Sequence, residues 1–319
     1  MKVDRRNFIA MAGAGTASAL LTGCKIPFCS TGWKAKIAVQ LYSIERYVMR
    51  VGLAKALKDV ADIGYAGVEA AGYDAKAGKC LGVNAKEFAR MLNDCGLELC
   101  GIHVSRSDLA PETIAATCDF SLECGTTTVI CPGSGNMPEG LNWGNHHKCR
   151  GMEIPGIADH TKMLCDFYGS AADNAEKVGC RVGIHNHQWE FLIRLPDGRT
   201  FWDAFFTGTS QKVLMEQDVG WTTAAGYDPC EQYLKYPHRS PTLHAKENGY
   251  GCAGAFDGIL GVPGKNSDGT SVTPVDWERL FPVAKADGVS WYVVECEKHR
   301  DSLLAIRPSL EFLQKKGFN

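Results

Sequence analysis

The 319-residue sequence has no surplus of either charge, no closely spaced cysteine pair and no apolar run of the roughly 20 residues that a membrane-crossing helix needs. Its 34 basic and 36 acidic residues leave a net charge of −2, so no global field draws the chain onto a polyanion, and nucleic acid is excluded as a default partner. The 14 cysteines include no CxxC, which excludes thiolate metal ribbons and dithiol redox motifs. No glycine-rich phosphate turn follows the first apolar run, Val39-Gln40-Leu41-Tyr42-Ser43, and this argues against a dinucleotide-binding open sheet.

What is present begins with an address. Asp4-Arg5-Arg6-Asn7-Phe8-Ile9 carries a twin arginine, and a short, mildly apolar stretch from Ile9 to Thr22 follows it. The stretch ends in Leu21-Thr22-Gly23-Cys24, which resembles the bacterial lipoprotein box. Residues 1–24 therefore read as a signal peptide for the twin-arginine route, with Cys24 as the lipidation site, 25–33 as a linker and 34–319 as the folded body. Several acyl chains on Cys24 would anchor the protein at a membrane, facing the periplasm or cell exterior, without a transmembrane helix. Setting Cys24 aside leaves 14 − 1 = 13 cysteines, an odd number; Cys100, Cys131 and Cys180 in apolar surroundings read as small buried residues and not as a disulfide framework.

From Lys34 onward, apolar runs alternate with amphipathic segments in eight pairs. The runs are Lys36 to Ser43, Ala66 to Ala71, Leu97 to Ser105, Thr126 to Pro132, Cys180 to His187, Val213 to Trp221, Pro241 to Glu247 and Trp291 to Glu297. They lack the polar alternation of a half-wetted antiparallel strand, so they predict strands buried on both faces. Between them, Leu53, Leu57 and Val60 share one helical face, as do Phe88, Met91, Leu92 and Cys95, and glycines such as Gly64, Gly96 and Gly288 stand where helices end. The pattern predicts an α/β fold, a single (β/α)8 TIM barrel. The long connections Gly133 to Pro155, with Trp143, His146 and His147, and Asn248 to Pro274, rich in glycine, serve equally well as lids over the barrel mouth or as contacts within a homo-oligomer.

A parallel barrel carries its chemistry at the C-terminal ends of its strands. Four successive strands end in metal-ligand types: His185, Asp218, His244 and Glu295. Two imidazoles and two carboxylates suit one divalent ion and leave positions for substrate oxygens. Lys246 has the same strand parity as His244 and is a candidate to hold a substrate oxygen. Glu69, His103 and Trp221 are candidates to meet the substrate itself, or to be polar plugs and packing.

Longer motifs add a family. Gly183-Ile184-His185-Asn186-His187-Gln188-Trp189-Glu190-Phe191 resembles the HNHxxEF signature of the xylose isomerase-like barrels, the sugar phosphate isomerase/epimerase group. Glu216-Gln217-Asp218-Val219-Gly220-Trp221 with Ala225-Gly226-Tyr227-Asp228-Pro229 is similar to that group's DxxW and AGxDP block. Leu243-His244-Ala245-Lys246-Glu247 stands where the group has HxKD, and Trp291 to Glu295 matches its last strand. The resemblance implies Asp218, His244 and Glu295 as metal ligands. His185 occupies the place where the group's ketose 3-epimerases carry a glutamate, so only Glu295 remains of their two acid/base glutamates. His187, Lys246, Glu190 and His103 are candidates for the second group.

The expected activity is a metal-dependent isomerisation or epimerisation of an unphosphorylated sugar or keto sugar, by proton transfer through an enediolate. Manganese, zinc, cobalt, iron and magnesium all suit the ligands. A lyase or hydratase of 3-keto sugars or their glycals is the runner-up, and a non-catalytic sugar-binding lipoprotein is the reading of another class. Replacing Cys24 with Ala is expected to move the exported protein from the membrane to the soluble fraction, as read by fractionation and blotting; a variant that stays with the membranes overturns the anchor.

Overall fold

The computed structural model describes residues 35–249, 258–266, 268–297 and 302–318. The expected signal peptide, Cys24 and the linker lie outside the described residues. Eight parallel strands close into a barrel in sequential order. They are β1 (Lys36–Gln40), β2 (Gly67–Ala70), β3 (Glu98–His103), β4 (Thr128–Pro132), β5 (Arg181–His185), β6 (Leu214–Asp218), β7 (Thr242–Ala245) and β8 (Trp291–Val294). The ring is completed where Lys36 to Val39 of β1 pair with Trp291 to Val294 of β8. All eight predicted runs are strands, but most overran. Leu41–Ile44 turns into a 3-10 helix and Val219–Ala224 into an α-helix, because Gln40 and Asp218 each accept a backbone N–H from the residues beyond and cap a helix there.

Eight outer helices follow the strands: α1 (Leu53–Ile63), α2 (Ala85–Cys95), α3 (Ile114–Glu123), α4 (Ile157–Lys177), α5 (Phe201–Gly208), α6 (Pro229–Lys235), α7 (Trp277–Asp287) and α8 (Ile306–Lys315). α1 buries Leu53, Ala56, Leu57 and Val60, the stripe its periodicity predicts. It ends at Gly64, whose φ of 112° falls where a side chain would be strained. Among the described residues, no helix is long and apolar enough to cross a membrane. The 11 described cysteines are free, nine of them buried.

The main core lies between strands and helices, where Ile37, Val39, Val182, Ile184, Met215, Leu243, Tyr292 and Val294 point outward. The strand residues of opposite parity point inward and differ in character. Ala38, Cys100 and Val293 form a small separate apolar cluster. Above it, Gln40, Glu69, Glu216, Thr242 and His244 are all fully buried. Barrel interiors are usually filled by branched apolar residues. This one holds buried polar residues as well, and such groups must be satisfied by one another. Close approach is part of the solution: a Cβ at Gly101 would stand 2.7 Å from Glu69 Oε1.

Glu247 has the opposite parity to His244 and leaves the barrel. Its Oε1 accepts the N–H groups of Asn248 and Val275, and its Oε2 accepts Gly261 N–H and Trp277 Nε1–H. One carboxylate thus fixes both ends of the long loop between β7 and α7. Glu247→Ala is expected to lower stability by about 3 kcal/mol, since buried donors lose their acceptor, as measured by denaturant unfolding; a loss under about 1 kcal/mol would show that water replaces the carboxylate.

Candidate metal centre

The chain positions its polar groups through strand parity. His185 and His187 both face inward, while Asn186 between them faces out. Asn186 Oδ1 accepts the Asp218 N–H at 3.0 Å, and its Nδ2 donates to the Asp218 carbonyl and to Thr222 Oγ1, each at 3.2 Å. The central residue of the His-Asn-His motif therefore clips the end of β5 to the end of β6. Asp218 in turn spends Oδ1 on the Trp221 N–H at 2.8 Å, which leaves Oδ2 buried and without a hydrogen-bond partner.

His185, Asp218, His244 and Glu295 converge, with one donor atom from each within 4.8 Å of the others. His244 Nδ1 lies 2.5 Å from Glu295 Oε2, and His185 Nε2 lies 4.0 Å from the same oxygen. Two imidazoles and two carboxylates, one of them with a buried oxygen that accepts no hydrogen bond, make a donor set that fits one divalent ion. His185 and Glu295 reach the floor of a cavity of about 460 Å³, also lined by His103, His187, Glu297, Tyr42, Tyr73 and Trp143. Trp143 meets His187 edge-on at 4.9 Å between ring centres. This places the first long loop, from Gly133 onward, against the site.

The remaining predicted residues fall at different depths. Glu69, expected either to meet the substrate or to be a polar plug, does not line the cavity. It is 0% exposed beneath His244, with Oε2 2.6 Å from His244 Nε2 and accepting Gln40 Nε2–H at 2.8 Å. Lys246 is also fully buried, 2.6 Å from Glu297 Oε1, 3.5 Å from Asp218 Oδ2 and 3.7 Å from Glu295 Oε2, so it faces three carboxylates. Trp221, 7% exposed, lies under the Lys246 ammonium at 4.9 Å and packs there without lining the cavity. Glu190 is buried behind His187 and accepts its N–H at 2.9 Å. Gly133 makes room for it, since a Cβ there would overlap Glu190 Oε1.

Sequence reasoning passed over Glu216, the partner of three histidines. Its Oε2 lies 2.7 Å from His103 Nε2, 3.2 Å from His244 Nε2 and 3.7 Å from His185 Nδ1. The signal was there: Glu216 stands two residues before Asp218, and equal parity turns both inward.

The electrostatics separate these groups. Burial opposes the charge of Glu295, but Lys246 and His244 outweigh it and hold the carboxyl well below its usual range. Burial, then the Lys246 charge, pushes His187 well below the ordinary histidine value, so its imidazole is neutral at pH 7. Burial raises Asp218 to about 7 against the pull of Lys246. Of the two deep carboxylates, Glu69 is pushed up by burial and by Glu216. Glu216 is drawn down by His244 and His103 in spite of burial, so the two deep carboxyls are pushed in opposite directions.

Fold and site together define a (β/α)8 barrel with a cluster of nitrogen and oxygen donors at its C-terminal mouth that could hold a metal ion. The chain belongs to the xylose isomerase-like TIM barrel family, which matches residues 57–316. A sugar phosphate isomerase/epimerase from Parabacteroides distasonis superimposes with TM-score 0.67 at 24% identity, covering 88% of this chain and 98% of its own. A second one from the same organism gives 0.67 at 22%, covering 91% and 96%. The 3-keto-D-glucoside 4-epimerase YcjR of E. coli gives 0.58 at 16%, covering 88% and 100%. At these identities the neighbours share the fold. No curated protein matches the chain in sequence.

Burial raises Glu190 well above the ordinary carboxyl value. The native state therefore keeps a proton that the unfolded chain releases above pH of about 4.5, and the stability this contributes is lost as pH rises toward the native value. Glu190→Gln, an isostere that never ionises, is expected to gain stability relative to the parent between pH 5 and pH 8. Denaturation midpoints at both pH values measure the difference, and a constant offset would show that Glu190 titrates normally.

Proposed function

We propose that the protein is a metal-dependent isomerase or epimerase of an unphosphorylated sugar or keto sugar. The observation that carries this reading is the convergence of His185, Asp218, His244 and Glu295, from successive strands, at the floor of a cavity large enough for a sugar. Family membership supports it, as do the epimerase and isomerase names of the structural neighbours. A divalent ion held by these four supplies Lewis acidity that stabilises negative charge on a substrate oxygen.

The chain's own residues handle the proton. Glu295, kept ionised by Lys246 and His244, is the base that takes a proton from the carbon beside the substrate carbonyl. His187 lines the same cavity from β5's extension, three strands round the barrel, and its neutral imidazole is the second group able to exchange one. Return to the original carbon on the other face gives epimerisation, and return to the neighbouring carbon gives isomerisation. Trp143 and Tyr42 give the cavity an aromatic wall. Lys246, Glu190, Glu69 and Trp221 act as supports for these groups.

A lyase or hydratase of 3-keto sugars or their glycals is favoured by one feature. The centre carries His185 where a second carboxylate would make a symmetrical pair, so the proton-moving groups are chemically unequal. We further propose that the reaction takes place outside the cytoplasm, on a protein tethered through Cys24. The twin arginine and the Leu21-Thr22-Gly23-Cys24 box support this, and the location favours substrates without phosphate.

Incubation with free and 3-keto sugars in D2O with added Mn²⁺ is expected to place deuterium on a carbon next to the carbonyl, read by mass spectrometry and NMR. Glu295→Gln is expected to slow that exchange by about 10³-fold. A product that gains or loses water assigns the lyase or hydratase reaction. No exchange and no mass change with any sugar, at full metal occupancy, leaves only sugar binding.

A further inference from the structure

A second set of metal-ligand atoms lies below the first. His103, His185, His244 and Glu216 each offer one donor atom, all within 4.8 Å of one another. Glu216 Oε2 is 2.7 Å from His103, 3.2 Å from His244 and 3.7 Å from His185. A tetrahedral ion with bonds of 2.0–2.1 Å holds its ligand atoms about 3.3 Å apart, in the middle of that range.

Hydrogen bonding does not account for the whole arrangement. His185 is 1% exposed, and its Nδ1 has no hydrogen-bond partner. At 3.7 Å from Glu216 Oε2 it is too far to share a proton, yet placed to share a cation. The ring of four is also braced from outside. Thr242 Oγ1 donates to Glu216 Oε1 at 2.6 Å and so turns Oε2 toward the imidazoles. Glu69 Oε2 stands 3.2 Å from His103 Nε2 and 2.6 Å from His244 Nε2, adding a further carboxylate.

The two sets share His185 and His244 through opposite ring nitrogens. His185 turns Nε2 and His244 turns Nδ1 toward Glu295 above, while His185 Nδ1 and His244 Nε2 face Glu216 below. A neutral imidazole has a lone pair on only one of its nitrogens, so neither histidine serves both sets at once. We propose that Glu216, His103, His185 and His244 form an inner metal seat that excludes occupation of the outer one. Three nitrogens and one carboxylate oxygen suit Zn²⁺, whereas two carboxylates in the outer set make it the better seat for Mn²⁺ or Mg²⁺. The inner seat draws two donors away from the cavity, so zinc held there leaves the substrate-facing seat incomplete. This inference stands whatever reaction the outer seat supports.

The test uses crystals of the purified protein soaked separately in Zn²⁺ and Mn²⁺, with anomalous difference maps at each metal's edge. A zinc peak among His103, His185, Glu216 and His244 is expected, and zinc found solely among His185, Asp218, His244 and Glu295 overturns the proposal. Calorimetric Zn²⁺ titration of Asp218→Asn, with circular dichroism confirming the fold, gives a second reading. Affinity within about threefold of the parent is expected, whereas loss of about 100-fold or more, as for a severed ligand, overturns it.

Discussion

The site depends on one imidazole. His244 sits between Glu295, 2.5 Å from Nδ1, and Glu69, 2.6 Å from Nε2. Through this ring the substrate-facing layer and the deep layer of the barrel are mechanically one. Burial alone would strip His244 of charge, but Glu216, Glu69 and Glu295 together raise its proton affinity well above that of an ordinary histidine. The deep carboxylates give the ring its orientation, and the ring aims its other nitrogen at Glu295.

This arrangement is costly. Glu69, Glu216, Asp218, His244 and Lys246 are all 0% exposed, and each gives up hydration that a buried partner must replace. The barrel meets the cost by alternating signs upward from the deep pair of glutamates. Imidazoles rest on those carboxylates, Asp218 and Glu295 lie at the level of His244, and Lys246 with Glu297 closes the stack. Such a column is a poor source of net stability compared with apolar packing. That work is left to the outer core between strands and helices. The interior is thereby free to be a binding centre.

The aromatic wall of the cavity comes from elements that regular repetition does not supply. Trp143 belongs to the long connection after β4, and Tyr73 to a two-stranded ribbon, Tyr73–Asp74 with Lys79–Cys80, inserted after β2. Glu247 fastens the opposite connection after β7 through four donors. Variation in such loops over a constant barrel is how one architecture serves several sugar reactions.

The amino-acid sequence by itself determined the eight alternating units and the inward parity of His185, Asp218, His244 and Glu295. Both follow from local periods, 2 along a strand and 3.6 along a helix, which need no knowledge of distant residues. It also marked the helix ends, where Gly64, Gly96 and Gly288 adopt positive φ. Only the tertiary structure decided depth. Glu69 was read as a substrate contact or a polar plug from its place at a strand end, and Lys246 as a substrate contact from its parity with His244, yet the stagger between neighbouring strands sinks Glu69 under His244 and sets Lys246 against Glu297. Glu190 and Trp221 were displaced from the cavity for a related reason: each begins or lies in a short helix that turns it behind a strand end. Glu216 went unnoticed because its meaning lies in three histidines 28 to 113 residues away, 244 − 216 = 28 and 216 − 103 = 113, which only closure of the barrel brings together.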